Sequence, residues 1–147
     1  MQQPTEKEKQ FKIDEASGDT DVIIVDDDPA FSFMLKDYLL SAVDYDSTLY
    51  TSGNQFLNDY RAGETRKIIL DYEFNEGPNG LAVLKKIKTV NPLAVVIIVS
   101  GQDDLEKAVE TLRHGATDYF LKTNKTVFAN IACSLMKLKE MEKNKWN

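Results

Sequence analysis

The chain has 147 residues, 42% hydrophobic and 29% charged, which suits one globular domain with a buried core. Its net charge of −6 argues against general affinity for nucleic acid, and its single cysteine, Cys133, excludes an internal disulfide and fits a reducing compartment. No stretch approaches the roughly 18 consecutive apolar residues of a membrane span, and the start "MQQPTEKEKQ" lacks the apolar region of a signal peptide, so a cytosolic protein without membrane or direct nucleic-acid partners is expected.

Residues 1–20 carry scattered apolar positions and mixed charge, and read as a flexible leader. From residue 21 two periods alternate. Short β-branched runs at 22–25, 67–70 and 93–99, with weaker ones at 48–50 and 119–121, read as strands. Between them lie helical stripes, each read as one buried face: Phe31, Met34, Leu35, Tyr38 and Leu39; Phe56, Leu57 and Tyr60 after a Ser52 N-cap; Leu81, Leu84 and Ile87 after Asn79-Gly80. Two more follow, Leu105, Ala108, Val109 and Leu112, then Phe128, Ile131, Ala132 and Leu135, with Cys133 read as core in the last. Gly115 suits the end of the helix that holds His114, the only histidine, which reads as a helix-end residue. Lys137, Lys139, Lys143 and Lys145 read as a solvated helix end, and Trp146 as an exposed aromatic beyond the core pattern.

Five strands alternating with five helices, (βα)5, imply an α/β fold: a doubly wound, five-stranded parallel sheet in the flavodoxin-like order 2-1-3-4-5. The most apolar runs, 22–25 and 93–99, belong at its centre and the weak second and fifth runs at its edges. Ligands of such sheets bind beyond the carboxyl ends of the strands, at the switch between strands 1 and 3.

The stretch "VIIVDDDPAF" runs a buried strand into three adjacent aspartates, whose mutual repulsion and desolvation need compensation. Helix capping is one explanation, since Asp28 can be an N-cap and Pro29 suits the first helical position; a cation site is the other. The topology bears on the choice. Asp26 and Asp27 leave strand 1, Asp71 ends strand 3, Ser100 ends strand 4 and Lys122 follows strand 5, so all converge on one rim. Clustered carboxylates of oxygen-only character favour Mg²⁺. A lysine supplies a point charge for phosphate, and a serine hydroxyl can donate to a phosphoryl oxygen. An aspartate among these groups can act as a nucleophile toward phosphorus.

From residue 21 to about 137 the chain resembles the receiver domain of two-component response regulators, through "IIVDDDP", "IILDYEFNEGPNGLAVLKKIK", "VVIIVSGQDD" and "GATDYFLK" in order. The resemblance implies that Asp71 is the phosphoacceptor, with Mg²⁺ held by Asp27, Asp71 and the main-chain carbonyl of Glu73, and Asp26 supporting. It implies that Ser100 and Lys122 bind the phosphoryl group, that Ser100 and Tyr119 form the switch, and that the Glu73 and Gln102 side chains modulate access. Asp28 is left to the helix start. The domain is then 21–137, with 138–147 extending the last helix. Three departures from the usual pattern stand out: Asn75 replaces a proline, the loop to "NG" is one residue longer, and Thr123 replaces the proline after the lysine.

The implied function is a signalling phosphoacceptor, not an enzyme in the ordinary sense, though with intrinsic phosphotransfer and slow autodephosphorylation. Its donor would be a sensor histidine kinase or a histidine phosphotransfer protein. Its output, to a second copy or an effector, would leave through helix 4, strand 5 and helix 5, with Glu106, Glu110, Arg113, Lys125 and Asn130 exposed. The alternative is a receiver-fold interaction domain that works without phosphorylation, against which the complete Asp71, Ser100 and Lys122 set argues. A haloacid-dehalogenase-like phosphatase would carry its nucleophile after strand 1 in a D-x-D pattern, and the match here runs through strand 3. About ten residues follow the last stripe, so either a stand-alone receiver or a piece of a longer regulator is expected.

Overall fold

In the three central strands, successive side chains alternate between two apolar layers, which is why those runs read as continuously hydrophobic rather than alternating. The structure, a computed structural model, describes residues 21–144; the leader, Lys145 and Trp146 lie outside them. Five strands, β1 (Asp21–Val25), β2 (Asp46–Tyr50), β3 (Lys67–Asp71), β4 (Val96–Ser100) and β5 (Asp118–Leu121), alternate with five helices, α1 (Pro29–Val43), α2 (Gly53–Asp59), α3 (Gly80–Val90), α4 (Leu105–Arg113) and α5 (Val127–Asn144). All strand pairs are parallel, in the order β2-β1-β3-β4-β5. The expected architecture holds.

Val22, Ile24, Ile69, Ile97 and Val99 face Leu35 and Leu39 of α1 and Ile131 and Leu135 of α5. Ile23, Val25, Ile68, Leu70, Val96 and Ile98 face Phe56 of α2 and Val83, Leu84 and Ile87 of α3. Burying each such aliphatic side chain contributes about 1.5–3 kcal/mol before entropy is counted. The local signals act as expected: Asp28, Ser52 and Asn79 cap α1, α2 and α3, each accepting from backbone N–H groups of the first turn. His114 caps the end of α4, and Gly115 follows in the left-handed region at φ 97°.

Several expectations are corrected. The fourth strand begins at Val96, and Leu93 is 94% exposed, because Ala94 N–H donates to the Asn91 carbonyl and closes a turn around Pro92. Met34 lies at the margin of the α1 stripe and is exposed. Cys133 is exposed rather than core, since the buried side of α5 runs through Ile131, Ala132, Ser134 and Leu135. In α4 the apolar stripe is not the buried face. Leu105 is 77% exposed, and Val109 and Leu112 are also exposed; the helix rests instead on Thr111, whose hydroxyl donates to the Ala108 carbonyl at 2.9 Å. That helix packs beside α3 and over β5, an edge strand whose own residues are only half-buried, so no deep apolar layer is available to receive a second stripe. Asn130 is half-buried, while Glu106, Glu110, Arg113 and Lys125 are exposed as read.

Candidate functional site

The rim is held by hydrogen bonds that continue the ladder past the strand ends. Asp26 N–H donates to the Tyr50 carbonyl at 3.0 Å, Tyr72 N–H to Val99 at 2.9 Å and Lys122 N–H to Ser100 at 2.8 Å. Register places Asp71 beside Val99 and Ser100 beside Leu121, so Asp26, Asp71, Ser100 and Lys122 meet at one end of the sheet. Asp26, Asp71 and Ser100 are 2%, 3% and 0% exposed, and Asp27 is half-buried at the mouth.

The three aspartates divide their duties. Asp28 Oδ1 accepts from the Ala30 and Phe31 N–H groups and starts α1. Asp26 Oδ1 accepts from Asp28 N–H at 2.8 Å, and its other oxygen pairs with Lys122 Nζ at 2.7 Å. Asp27 Oδ2 accepts from Asn75 N–H at 2.8 Å, tying the loop after β3 to the rim. One oxygen from each of Asp26, Asp27 and Asp71 lies within 4.8 Å of the others.

One ammonium faces this carboxylate cluster. Lys122 Nζ stands 3.3 Å from Asp71 Oδ1 as an ion pair without hydrogen-bond geometry, which leaves that buried oxygen with no hydrogen bond. Burial, followed by the charge of Asp26, pushes the Asp71 carboxyl up to about 8, against the pull of Lys122. Burial opposes the charged form of Lys122, but its hydrogen bond to Asp26 and the charges of Asp26 and Asp71 prevail and its pKa rises. The ammonium also lies over the Phe31 ring, 4.6 Å from the centroid. A buried oxygen without a hydrogen bond, among all-oxygen donors, is the environment a hard divalent cation relieves; the residues fit Mg²⁺.

At the end of β4, Ser100 Oγ donates to Glu73 Oε1 at 2.5 Å, and Gly101 N–H donates to Glu73 Oε2 at 3.1 Å. Gln102 N–H donates back to Ser100 Oγ at 3.1 Å, and Tyr119 O–H reaches the Gln102 carbonyl at 3.4 Å. Tyr119 is half-buried against the layer that contains Ile98, and burial raises its phenol pKa. Gln102 Oε1 accepts from Lys107 Nζ at 2.7 Å, so its side chain is turned toward α4. Ser100 and Tyr119 are thus connected through Gln102 rather than in isolation.

The profile of the response regulator receiver domain family matches residues 22–129. The chain belongs to this family. The receiver is 36% identical over 102 residues to the transcriptional regulatory protein ZraR of Escherichia coli K12, covering 69% of this chain and 23% of that protein. It is 37% identical over 99 residues to the DNA-binding transcriptional regulator NtrC of Klebsiella pneumoniae, covering 67% of this chain and 21% of the other. It therefore spans less than a quarter of either regulator. Among solved structures it resembles a CheY-like receiver domain protein from Methanospirillum hungatei JF-1, with 25% identity and a TM-score of 0.69, over 84% of this chain and 98% of that one.

The receiver accommodates its departures locally. Gly77 takes a left-handed φ of 79° in the longer loop after β3. Among the described residues no peptide bond is cis, and after Lys122 the chain turns instead through Asn124, whose Oδ1 accepts from both the N–H and the hydroxyl of Thr126 before α5. Two residues of the site escaped sequence reasoning. Phe31 was one apolar position in a stripe, with nothing to mark it as the platform under Lys122. Gly80 lies where a Cβ would come within 2.5 Å of the Asp71 carbonyl oxygen, and its N–H donates to Tyr72 at 2.7 Å. The "NG" pair read as a helix start; its role as a spacer against the acidic rim needed the fold.

Proposed function

We propose that this receiver takes a phosphoryl group onto an oxygen of Asp71 from the phosphohistidine of a sensor kinase or a histidine phosphotransfer protein. An Asp71 oxygen attacks phosphorus, the O–P bond forms, the P–N bond breaks and the imidazole leaves with the bonding electrons. Asp27, Asp71 and the Glu73 main-chain carbonyl, with Asp26 in support, would hold a Mg²⁺ ion whose chemistry is to neutralise charge on the phosphoryl oxygens. Lys122, already turned toward Asp26 and Asp71, moves its ammonium onto a phosphoryl oxygen. Ser100 donates its hydroxyl to another.

The observation that carries this reading is the buried Asp71 oxygen, without a hydrogen bond and 3.3 Å from Lys122 Nζ, on a carboxylate that clusters with those of Asp26 and Asp27. The switch follows from the Ser100–Gln102–Tyr119 chain: pulling Ser100 onto the phosphoryl group disturbs the Gln102 contact of Tyr119 and reshapes the surface of α4, β5 and α5. The exposed Leu105, Val109 and Leu112 support that surface as the docking face for an effector or a second receiver. We place the functional unit at 21–137, in the cytoplasm; among the described residues no helix is long and apolar enough to cross a membrane. Slow hydrolysis of the aspartyl-phosphate resets it.

The test is mass spectrometry after incubation with acetyl phosphate and Mg²⁺. One added phosphoryl group is expected on the wild type, and none on Asp71→Asn or with EDTA. Undiminished labelling of Asp71→Asn would remove Asp71 from its role.

A further inference from the structure

The end of β4 offers two neighbouring donors, the Ser100 hydroxyl and the Gly101 N–H, and a single carboxylate occupies both. Each oxygen of Glu73 takes one donor, the bidentate pattern by which a compact oxyanion is held. These contacts join positions 27 and 28 residues apart, so local chain geometry does not impose them. Glu73 is half-buried in making them, although its position in the loop after β3 leaves water as the alternative.

We propose that the Glu73 carboxylate is a built-in competitor of the phosphoryl group, holding Ser100 and Gly101 until an oxyanion on Asp71 displaces it. The inference rests on the reading of Asp71 as acceptor and Ser100 as a phosphoryl donor group. A serine hydroxyl has one hydrogen to give, so Glu73 Oε1 and a phosphoryl oxygen cannot both receive it. Two anions held on one pair of donors also repel, so seating one expels the other. Because Gln102 N–H donates to Ser100 Oγ, the exchange is felt along the chain to Tyr119. Glu73 thereby acts as a positioning residue for Ser100 in the unphosphorylated protein and as a threshold against weak oxyanions.

Beryllofluoride with Mg²⁺, titrated into the full chain and followed by amide NMR, tests this with Glu73→Ala and Glu73→Gln. Glu73→Ala should bind roughly tenfold more tightly than wild type, a factor equivalent to about 1.4 kcal/mol. Glu73→Gln should fall between them, because its single amide oxygen can still accept from one donor. Without metal or beryllofluoride, the Gly101 amide proton should shift upfield in Glu73→Ala and return downfield when beryllofluoride binds. Equal affinities in all three proteins overturn the competition while leaving the phosphoryl site intact. Equal gains in the two variants, with the Gly101 resonance unmoved by either, reduce Glu73 to a distant charge and also overturn it. Absence of beryllofluoride binding in every protein overturns the phosphoryl reading of the site, and the competition with it.

Discussion

In metal-free protein at pH 7.5, Asp71→Asn is expected to raise stability, because the wild-type rim buries clustered carboxylates against one ammonium. The Asp71 carboxyl titrates near 3.8 in an unstructured chain and near 8 when folded. Between those values the folded protein retains a proton that the unfolded chain has released, so stability falls as pH rises through the window. At about 1.36 kcal/mol per pH unit, the penalty accumulated by pH 7.5 has a ceiling of about 5 kcal/mol. Asparagine removes that penalty but also forfeits the Lys122 attraction at 3.3 Å and leaves a buried amide to satisfy. A net gain of about 1–3 kcal/mol remains. Urea denaturation in EDTA measures it. The gain should shrink toward pH 4.5, which lies only about 0.7 unit above the titration of the unstructured chain, so that the wild-type carboxyl, neutral in the fold, has accumulated only about 1 kcal/mol of penalty. Millimolar Mg²⁺ should also shrink it, by stabilising the wild type more than the variant. Lower stability of Asp71→Asn in EDTA at pH 7.5, or a gain indifferent to both pH and Mg²⁺, would refute the electrostatic account of the rim.

Asp27→Ala should weaken Mg²⁺ binding, read by calorimetry, far more than Asp28→Ala, whose expected effect is a loss of about 1 kcal/mol of stability from the α1 cap. Equal losses of affinity would mean the ligands are misplaced. Gly80→Ala should cost about 1–3 kcal/mol in a denaturant titration, because the new methyl meets the Asp71 carbonyl oxygen and Tyr72 Cα at 2.5 and 2.7 Å. An unobstructed helical glycine would instead gain roughly 0.5–1 kcal/mol from the same change, so the sign of the effect is the test.

The five strands were legible in the chain because each rests on local information, and their order and the meeting of Asp26, Asp71, Ser100 and Lys122 followed from the topology that alternating strands and helices impose. A β-branched run marks a buried parallel strand, and the polar residue that ends it marks the rim. The caps at Asp28, Ser52 and Asn79 were legible for the same reason, since a cap is a bond between neighbours in sequence. Periodicity identified α4 as amphipathic but could not say which side meets protein, for that depends on how much apolar surface the neighbouring elements leave uncovered. Beside the half-buried edge strand β5 there was little, and Leu105, Val109 and Leu112 stayed in solvent. Cys133 was likewise decided by the orientation of α5. The bidentate grip of Glu73 on Ser100 and Gly101, the Phe31 ring beneath Lys122 and the closeness of Gly80 to Asp71 join distant segments across ångströms. Residue type and spacing carry no record of such distances, and only the packed sheet and its loops set them.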